Sequence, residues 1–179
     1  MASLCSKCKI NPKTHNFVKF GSLNGMSLYY TSPVKSIEII DNPEKFVYFK
    51  AHLEQAKAEG KWIWIFDCAD MRNEHFVSID FTKNLFKEIS ENQLNSLMAV
   101  WVIHPNSWMR TSISVVTPLF KKEVISKIKV IEGTRLELIS NLEKMGVNGP
   151  ASEWLGRESV MVLKAPQTQT QAHAKKIAF

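Results

Sequence analysis

The stretch Leu97–Val130, LMAVWVIHPNSWMRTSISVVTPLFKKEVISKIKV, decides how the chain is read. It opens on an unbroken apolar run, Leu97 to Ile103, rich in β-branched and aromatic residues, as a strand buried on both faces would be. His104-Pro105-Asn106 stops it, because proline cannot donate to a ladder and asparagine suits a turn or a helix cap. Ser107 to Phe120 follows, apolar on nearly every side. Lys121, Lys122, Lys127 and Lys129 then lead into a short strand, Ile128 to Ile131.

Local rules leave the middle segment open. Thr111, Ile113, Val115, Val116 and Thr117 are β-branched and lean towards strand. Asn106 is a cap, and Met109, Ile113, Val116 and Phe120 share one helical face that Trp108, Val115 and Leu119 widen. We read Ser107 to Phe120 as a helix. A helix this apolar needs cover on both sides, and a lipid is one available cover.

Upstream, Trp62 to Phe66 is a very apolar strand closing on Asp67, with Trp62 and Trp64 on one face and Ile63 and Ile65 on the other. Between the two strands, Ser78 caps a helix carrying Phe81, Leu85 and Ile89 on its buried stripe. Earlier, Asn42 and Pro43 start a helix with Phe46, Phe49, Leu53 and Ala56 on one face, ended by Gly60. Phe17 to Phe20 and Met26 to Thr31 flank Asn24-Gly25, a strong hairpin signal, and Ser36 to Ile40 reads as a further extended piece. Downstream, Thr134 and Glu137 have capping-box spacing ahead of Leu138, Leu142 and Met145. Helices alternating with apolar strands predict an α/β domain, a single-layer, mainly parallel sheet flanked by helices. We place it at residues 15–156. Residues 1–14 form a polar lead-in, ordered only if something ties it down, and 157–179 a flexible, Gln/Thr/Ala-biased tail.

The net charge of +6, from 23 basic and 17 acidic residues, favours anionic surfaces but falls short of a dedicated nucleic-acid binder, so no nucleic-acid partner is expected. There is no apolar run long enough to span a bilayer and no signal-peptide-like start. Three cysteines without a secreted-scaffold pattern imply a reducing, cytosolic setting. Cys5-x-x-Cys8 with His15 nearby has the spacing of half a zinc site. A structural site wants four ligands, and Cys68 sits at the end of a sheet strand, so we expect surface thiols, no metal and no cofactor. Asp67-Cys-Ala-Asp70 lies where α/β enzymes place catalytic groups. It lacks phosphatase spacing and a second acidic cluster, and reads as a polar strand end. His104 is expected to be a turn residue bonded to backbone. No enzymatic function is expected.

In its order of elements the chain resembles the CRAL-TRIO lipid-binding domain. The resemblance runs from about Lys61 to Gly146 and is carried by Val100-Trp101-Val102-Ile103-His104-Pro105, then Thr117-Pro118-Leu119-Phe120, then Ile125-Ser126-Lys127-Ile128. His-Pro with a following tryptophan is also similar to the divergent BCH branch, whose members bind small GTPases and lipids. The resemblance implies a CRAL-TRIO-like fold in which Asn106 to Phe120 is a movable gate over a lipid cavity and Lys127 contacts a lipid phosphate. Two departures weaken phosphatidylinositol specificity: Val124 replaces the family's threonine, and Gln93-Leu94-Asn95-Ser96 replaces the motif whose glutamate reaches the inositol.

The candidate lipid-binding set is therefore Lys127, Val124, Trp64, Phe66, Ile113, Val116 and Phe120. Lys121, Lys122 and Lys129 are the candidate membrane contacts. Burial is worth roughly 0.8 kcal/mol per CH₂, so a tail of about 16 carbons represents on the order of 10 kcal/mol. Each lysine near an anionic bilayer adds about 1 kcal/mol. The expected function is non-enzymatic binding, and transfer between membranes, of a phospholipid or other hydrophobic small molecule by a cytoplasmic protein that docks transiently on anionic membranes. The alternatives are a BCH-type module holding a GTPase or scaffold protein, and a small hydrolase using Asp67 and Asp70.

Overall fold

A computed structural model describes residues 5–147, so the expectations for the C-terminal tail lie outside the described residues. Five strands form one sheet in sequential order: β1 (Phe17–Leu23), β2 (Met26–Thr31), β3 (Trp62–Asp67), β4 (Leu97–Ile103) and β5 (Ile128–Ile131). The β1–β2 pair is an antiparallel hairpin, and β2, β3, β4 and β5 run parallel to one another. The hairpin turns at Asn24 and Gly25, both at positive φ (49° and 79°), as a two-residue turn of this type demands.

Register sorts the side chains into two layers. Tyr29, Trp64 and Val100 are cross-strand partners on one face, while Tyr30, Ile65 and Trp101 are partners on the other. Parallel strands need crossovers, and right-handed crossovers advancing in one direction along a sheet fall on the same side. Accordingly α2 (Phe46–Ala58), α3 (Ile79–Glu88), α4 (Ser107–Val116) and α5 (Lys122–Ile125) all cover the Trp64 face. Leu53, Ala56, Phe86, Val116 and Val124 join its core cluster. The other face is covered by α6 (Arg135–Lys144), through Leu138 and Leu142.

Local chemistry explains the helix ends. The Ser78 hydroxyl accepts from the Phe81 N–H at 3.0 Å, and the Asn106 side chain accepts from the Met109 N–H at 2.8 Å. The second cap, together with burial of Val116 and packing of the partly buried Met109 and Ile113 on the core, outweighs the β-branched propensity of this segment. The helix is nevertheless shorter than the sequence suggested. It ends at Val116, and Thr117–Leu119 is a 3₁₀ turn, because Pro118 has no N–H to continue an α-helical ladder. Val115 and Leu119 are 45% and 59% exposed, so they do not widen the buried face. At α6, Thr134 and Glu137 form the expected reciprocal cap, the Thr134 N–H donating to Glu137 Oε2 at 2.6 Å.

Two readings are corrected. Ser36 to Ile40, read as a further extended piece, does not join the sheet: the N–H groups of Ile37 and Glu38 donate instead to the carbonyls of Lys13 and Thr14. Nor are Cys5 and Cys8 surface thiols. A short helix, α1 (Ser6–Ile10), packs inward with both cysteines buried, and the Lys7 ammonium donates to Glu38 at 2.7 Å.

Candidate functional site

The Trp64 face of the sheet and its covering helices do not close completely. About 120 Å³ of free space remains between them. The floor is Trp64, Phe66, Val100 and Val102, from β3 and β4. One wall is the inner stripe of α3, with Phe81, Leu85 and Phe86, continued by Ile89 just past its C-terminal end. The opposing wall is α4, through Met109, Ser112 and Ile113, and Val124, Lys127 and Ile128 extend the lining towards β5. Phe49 of α2 and the Ile39–Ile40 segment complete it.

Aromatic contacts link the floor and the walls. Phe49 lies 5.4 Å from Trp64 and 5.7 Å from Phe81, and Trp64 meets Phe66 edge-on at 5.8 Å. Phe76 stacks on Trp108 at 4.8 Å over the first turn of α4, and Trp108 also reaches the lining. The Trp64 indole N–H is satisfied by Thr31 Oγ1 at 3.0 Å, which keeps that face of the pocket apolar.

Few polar groups point inwards. Ser112 is 1% exposed, and its hydroxyl has no hydrogen-bond partner among the described residues. Lys127 donates to the Leu97 carbonyl oxygen at 2.6 Å, and burial lowers its pKa below the usual lysine value. The space is comparable to the engineered apolar cavity of about 150 Å³ that admits benzene, and smaller than the roughly 300–1,000 Å³ of ordinary ligand pockets. In this conformation it has room for only a small apolar body.

Among the residues singled out from sequence, Trp64, Phe66, Ile113, Val124 and Lys127 are brought together in the lining. Val116 is fully buried behind it, and Phe120 packs on Phe86 at 5.4 Å, outside the lining. Lys121 and Lys122 are exposed side by side at the start of α5. Lys129 pairs in register with Trp101, on the opposite face of the sheet, so the three lysines do not share one surface. The α3 stripe was legible as buried, but nothing in its spacing distinguishes a wall around free space from a filled core. Ile39 and Ile40 were missed as lining because an extended piece ahead of α2 carries no local sign of where it packs.

Asp67 and His104 form a separate arrangement. Asp67 is buried and accepts from the Tyr30 hydroxyl at 2.6 Å, the Ala69 N–H at 2.9 Å and His104 Nδ1 at 2.9 Å. His104 is therefore bonded to a carboxylate, not to backbone as its place in a turn suggested. Burial and the Asp67 charge push the Tyr30 hydroxyl far above its usual pKa, and the same two causes raise the Cys68 thiol. Asp70 is exposed and takes no part. With its carboxylate engaged by three donors, Asp67 ties β2, β3 and the β4 end together and lies outside the pocket lining.

Among the described residues, no helix is long and apolar enough to cross a membrane. A family model for the CRAL/TRIO domain matches residues 45–145, from the turn ahead of α2 to the end of α6. No curated protein matches the chain. A parallel sheet with its crossovers stacked on one side, an apolar pocket beneath them and a match over more than half the chain agree: this chain belongs to the CRAL/TRIO domain family, a family that binds lipids and other small hydrophobic ligands.

Proposed function

We propose that the chain is a non-catalytic carrier that takes up an acyl chain of a phospholipid beneath α4 and exchanges it at anionic membrane surfaces. The observation that carries this reading is the apolar space between α3 and α4, floored by Trp64 and Phe66 and edged by Ser112 and Lys127. A space of about 120 Å³ is too small for a phospholipid, so uptake requires α4 to swing outward from α3. The arrangement supports such a movement. One face of α4 meets the pocket, Pro118 interrupts the backbone ladder at its C-terminal end, and Val115 beyond the pocket is exposed.

Exposed Val115 and Leu119 lie close in sequence to exposed Lys121 and Lys122, a combination suited to an anionic bilayer: apolar residues enter the interface and ammonium groups meet headgroup phosphates. Lys129 faces away from this surface and is not part of the contact. Gln93 to Ser96 do not line the pocket, and buried Gln93 donates to Glu54 at 3.0 Å, so the reading does not extend to inositol recognition.

Native mass spectrometry of the full chain purified from a lipid-rich host tests the proposal. One bound species of phospholipid mass, lost on substitution of Ile113 by tryptophan, is expected; a protein that remains ligand-free after incubation with mixed phospholipid vesicles would contradict it. The double substitution Lys121→Glu, Lys122→Glu should reduce binding to vesicles containing phosphatidylserine several-fold, whereas Lys129→Glu should reduce it little.

A further inference from the structure

We propose that Cys5, Cys8, His15 and His52 form a closed structural zinc site that ties the N-terminal segment to α2. The four come from three places: Cys5 and Cys8 bracket the start of α1, His15 lies two residues before β1, and His52 projects from the middle of α2. All are buried, and one ligand atom from each lies within 4.8 Å of the others. Cys-x-x-Cys and a nearby histidine are visible in the sequence. The fourth ligand, 37 residues beyond His15, is supplied only by the fold.

Four of the six distances between ligand atoms match the edges of a zinc tetrahedron, and the other two are within 4.8 Å. His15 Nδ1 lies 3.5 Å from Cys5 Sγ and 3.4 Å from Cys8 Sγ; His52 Nε2 lies 3.5 Å from Cys8 Sγ and 3.1 Å from His15 Nδ1. Zinc bonds of about 2.3 Å to sulfur and about 2.0–2.1 Å to nitrogen at tetrahedral angles put sulfur and nitrogen roughly 3.5 Å apart and the two nitrogens roughly 3.3 Å apart. A hydrogen-bond network accounts for the cluster less well. His15 Nδ1 has three heavy-atom neighbours within 3.5 Å, yet a ring nitrogen offers one proton or one in-plane lone pair. As a metal ligand it needs a single bond.

Charge and composition agree with zinc. Two thiolates cancel the charge of a divalent ion, so the filled site is neutral, which suits a buried position; the two thiol protons leave to solvent on binding. Two sulfurs and two imidazole nitrogens in a tetrahedron favour zinc over the harder cations, and four protein ligands leave no open position for chemistry. The rings are held by packing: His52 stacks on Phe17 at 5.0 Å, and His15 lies 5.6 Å from Tyr48.

The consequence is mechanical. Residues 5–15 would be stapled to α2, the helix whose Phe49 lines the apolar pocket, and His15 itself reaches that lining. The site would stand whatever guest the pocket takes.

The test is metal analysis of the full chain, purified under reducing conditions without chelator and equilibrated with zinc. One tightly held zinc per chain is expected. Cys5→Ser and His52→Gln should each weaken zinc retention at least tenfold, while Cys68→Ser should leave it unchanged. In case those variants fail to fold, cobalt(II) added to the metal-stripped native protein gives an independent reading. Intense visible bands of a tetrahedral ion with sulfur-to-cobalt charge transfer, abolished by zinc, support the site. Well under one zinc per chain, or a weak octahedral cobalt spectrum, overturns it.

Discussion

The Lys127 ammonium donates to the Leu97 carbonyl oxygen at 2.6 Å, joining the residue just before β5 to the first residue of β4 at the edge of the pocket. The Lys127 carbonyl in turn accepts from the Val100 N–H at 2.8 Å. This lysine thus holds a strand end in register and faces the apolar space at the same time.

Replacing Lys127 by methionine keeps the apolar stem and removes the charged donor. Hydrogen bonds that involve a charged group contribute about 1.5–3 kcal/mol, and partial exposure of this one puts it at the low end. Urea denaturation of Lys127→Met should show a loss of about 1–2 kcal/mol. Capture of anionic phospholipid should fall more than capture of a neutral one. Equal losses for both would assign Lys127 to the sheet alone.

Ser112 and Val116, one turn apart on α4, separate the lining from the packed core. Ser112→Phe should fill free space, leave stability within about 1 kcal/mol and cut lipid capture at least five-fold. Val116→Phe enlarges a residue with no exposure and should cost about 1–3 kcal/mol by overpacking. The milder Ser112→Ala removes an unpartnered buried hydroxyl and should raise the melting temperature. Comparable destabilisation by the two phenylalanines would mean that the space does not admit a guest.

Asn106 caps α4 through the Met109 N–H. Asn106→Ala should lower stability by about 1 kcal/mol. If α4 moves during uptake, fluorescent-lipid exchange should also become faster in both directions; unchanged rates would place the moving part elsewhere.

The Tyr30 hydroxyl is one of three donors to buried Asp67. Tyr30→Phe should cost about 1.5–3 kcal/mol in thermal or chemical denaturation, and lipid capture by the folded fraction should be preserved. A large, selective loss of capture would show that this cluster reaches the ligand.

Cys68 is 2% exposed, and burial beside Asp67 raises its thiol pKa above the ordinary value of 9.0. A raised pKa keeps the thiol protonated through neutral and mildly alkaline pH, and only the thiolate is a good nucleophile. Peptide mapping after iodoacetamide treatment at pH 8 should find Cys68 unmodified in the native protein and fully modified after unfolding. Native-state labelling would require that this strand end open readily.

The α/β alternation, the hairpin at Asn24-Gly25, the caps at Ser78, Asn106 and Thr134 and the central apolar strands were readable from sequence. Each depends on contacts within a few residues or on a simple period, and these survive into the fold. Readings that depended on distant partners fared differently. Ser36 to Ile40 was read as extended but its N–H groups at Ile37 and Glu38 bond to the carbonyls of Lys13 and Thr14 and not to the sheet, and His104 found Asp67 across 37 positions of chain. Lys129 resembled its neighbours Lys121 and Lys122 as a basic residue. Strand alternation nevertheless set it on the far face.

By itself the sequence determined the alternation of central strands and capped helices and that both faces of the sheet would be covered, because side-chain period and backbone capping are local properties; it left α1 and the end of α4 undetermined. Tertiary structure decided the rest: that packing on the Trp64 face leaves free space instead of closing, and that His52 comes within 3.1 Å of His15 beside two buried thiols. Complementarity between surfaces far apart in the chain depends on shape in three dimensions, and no linear pattern encodes it directly.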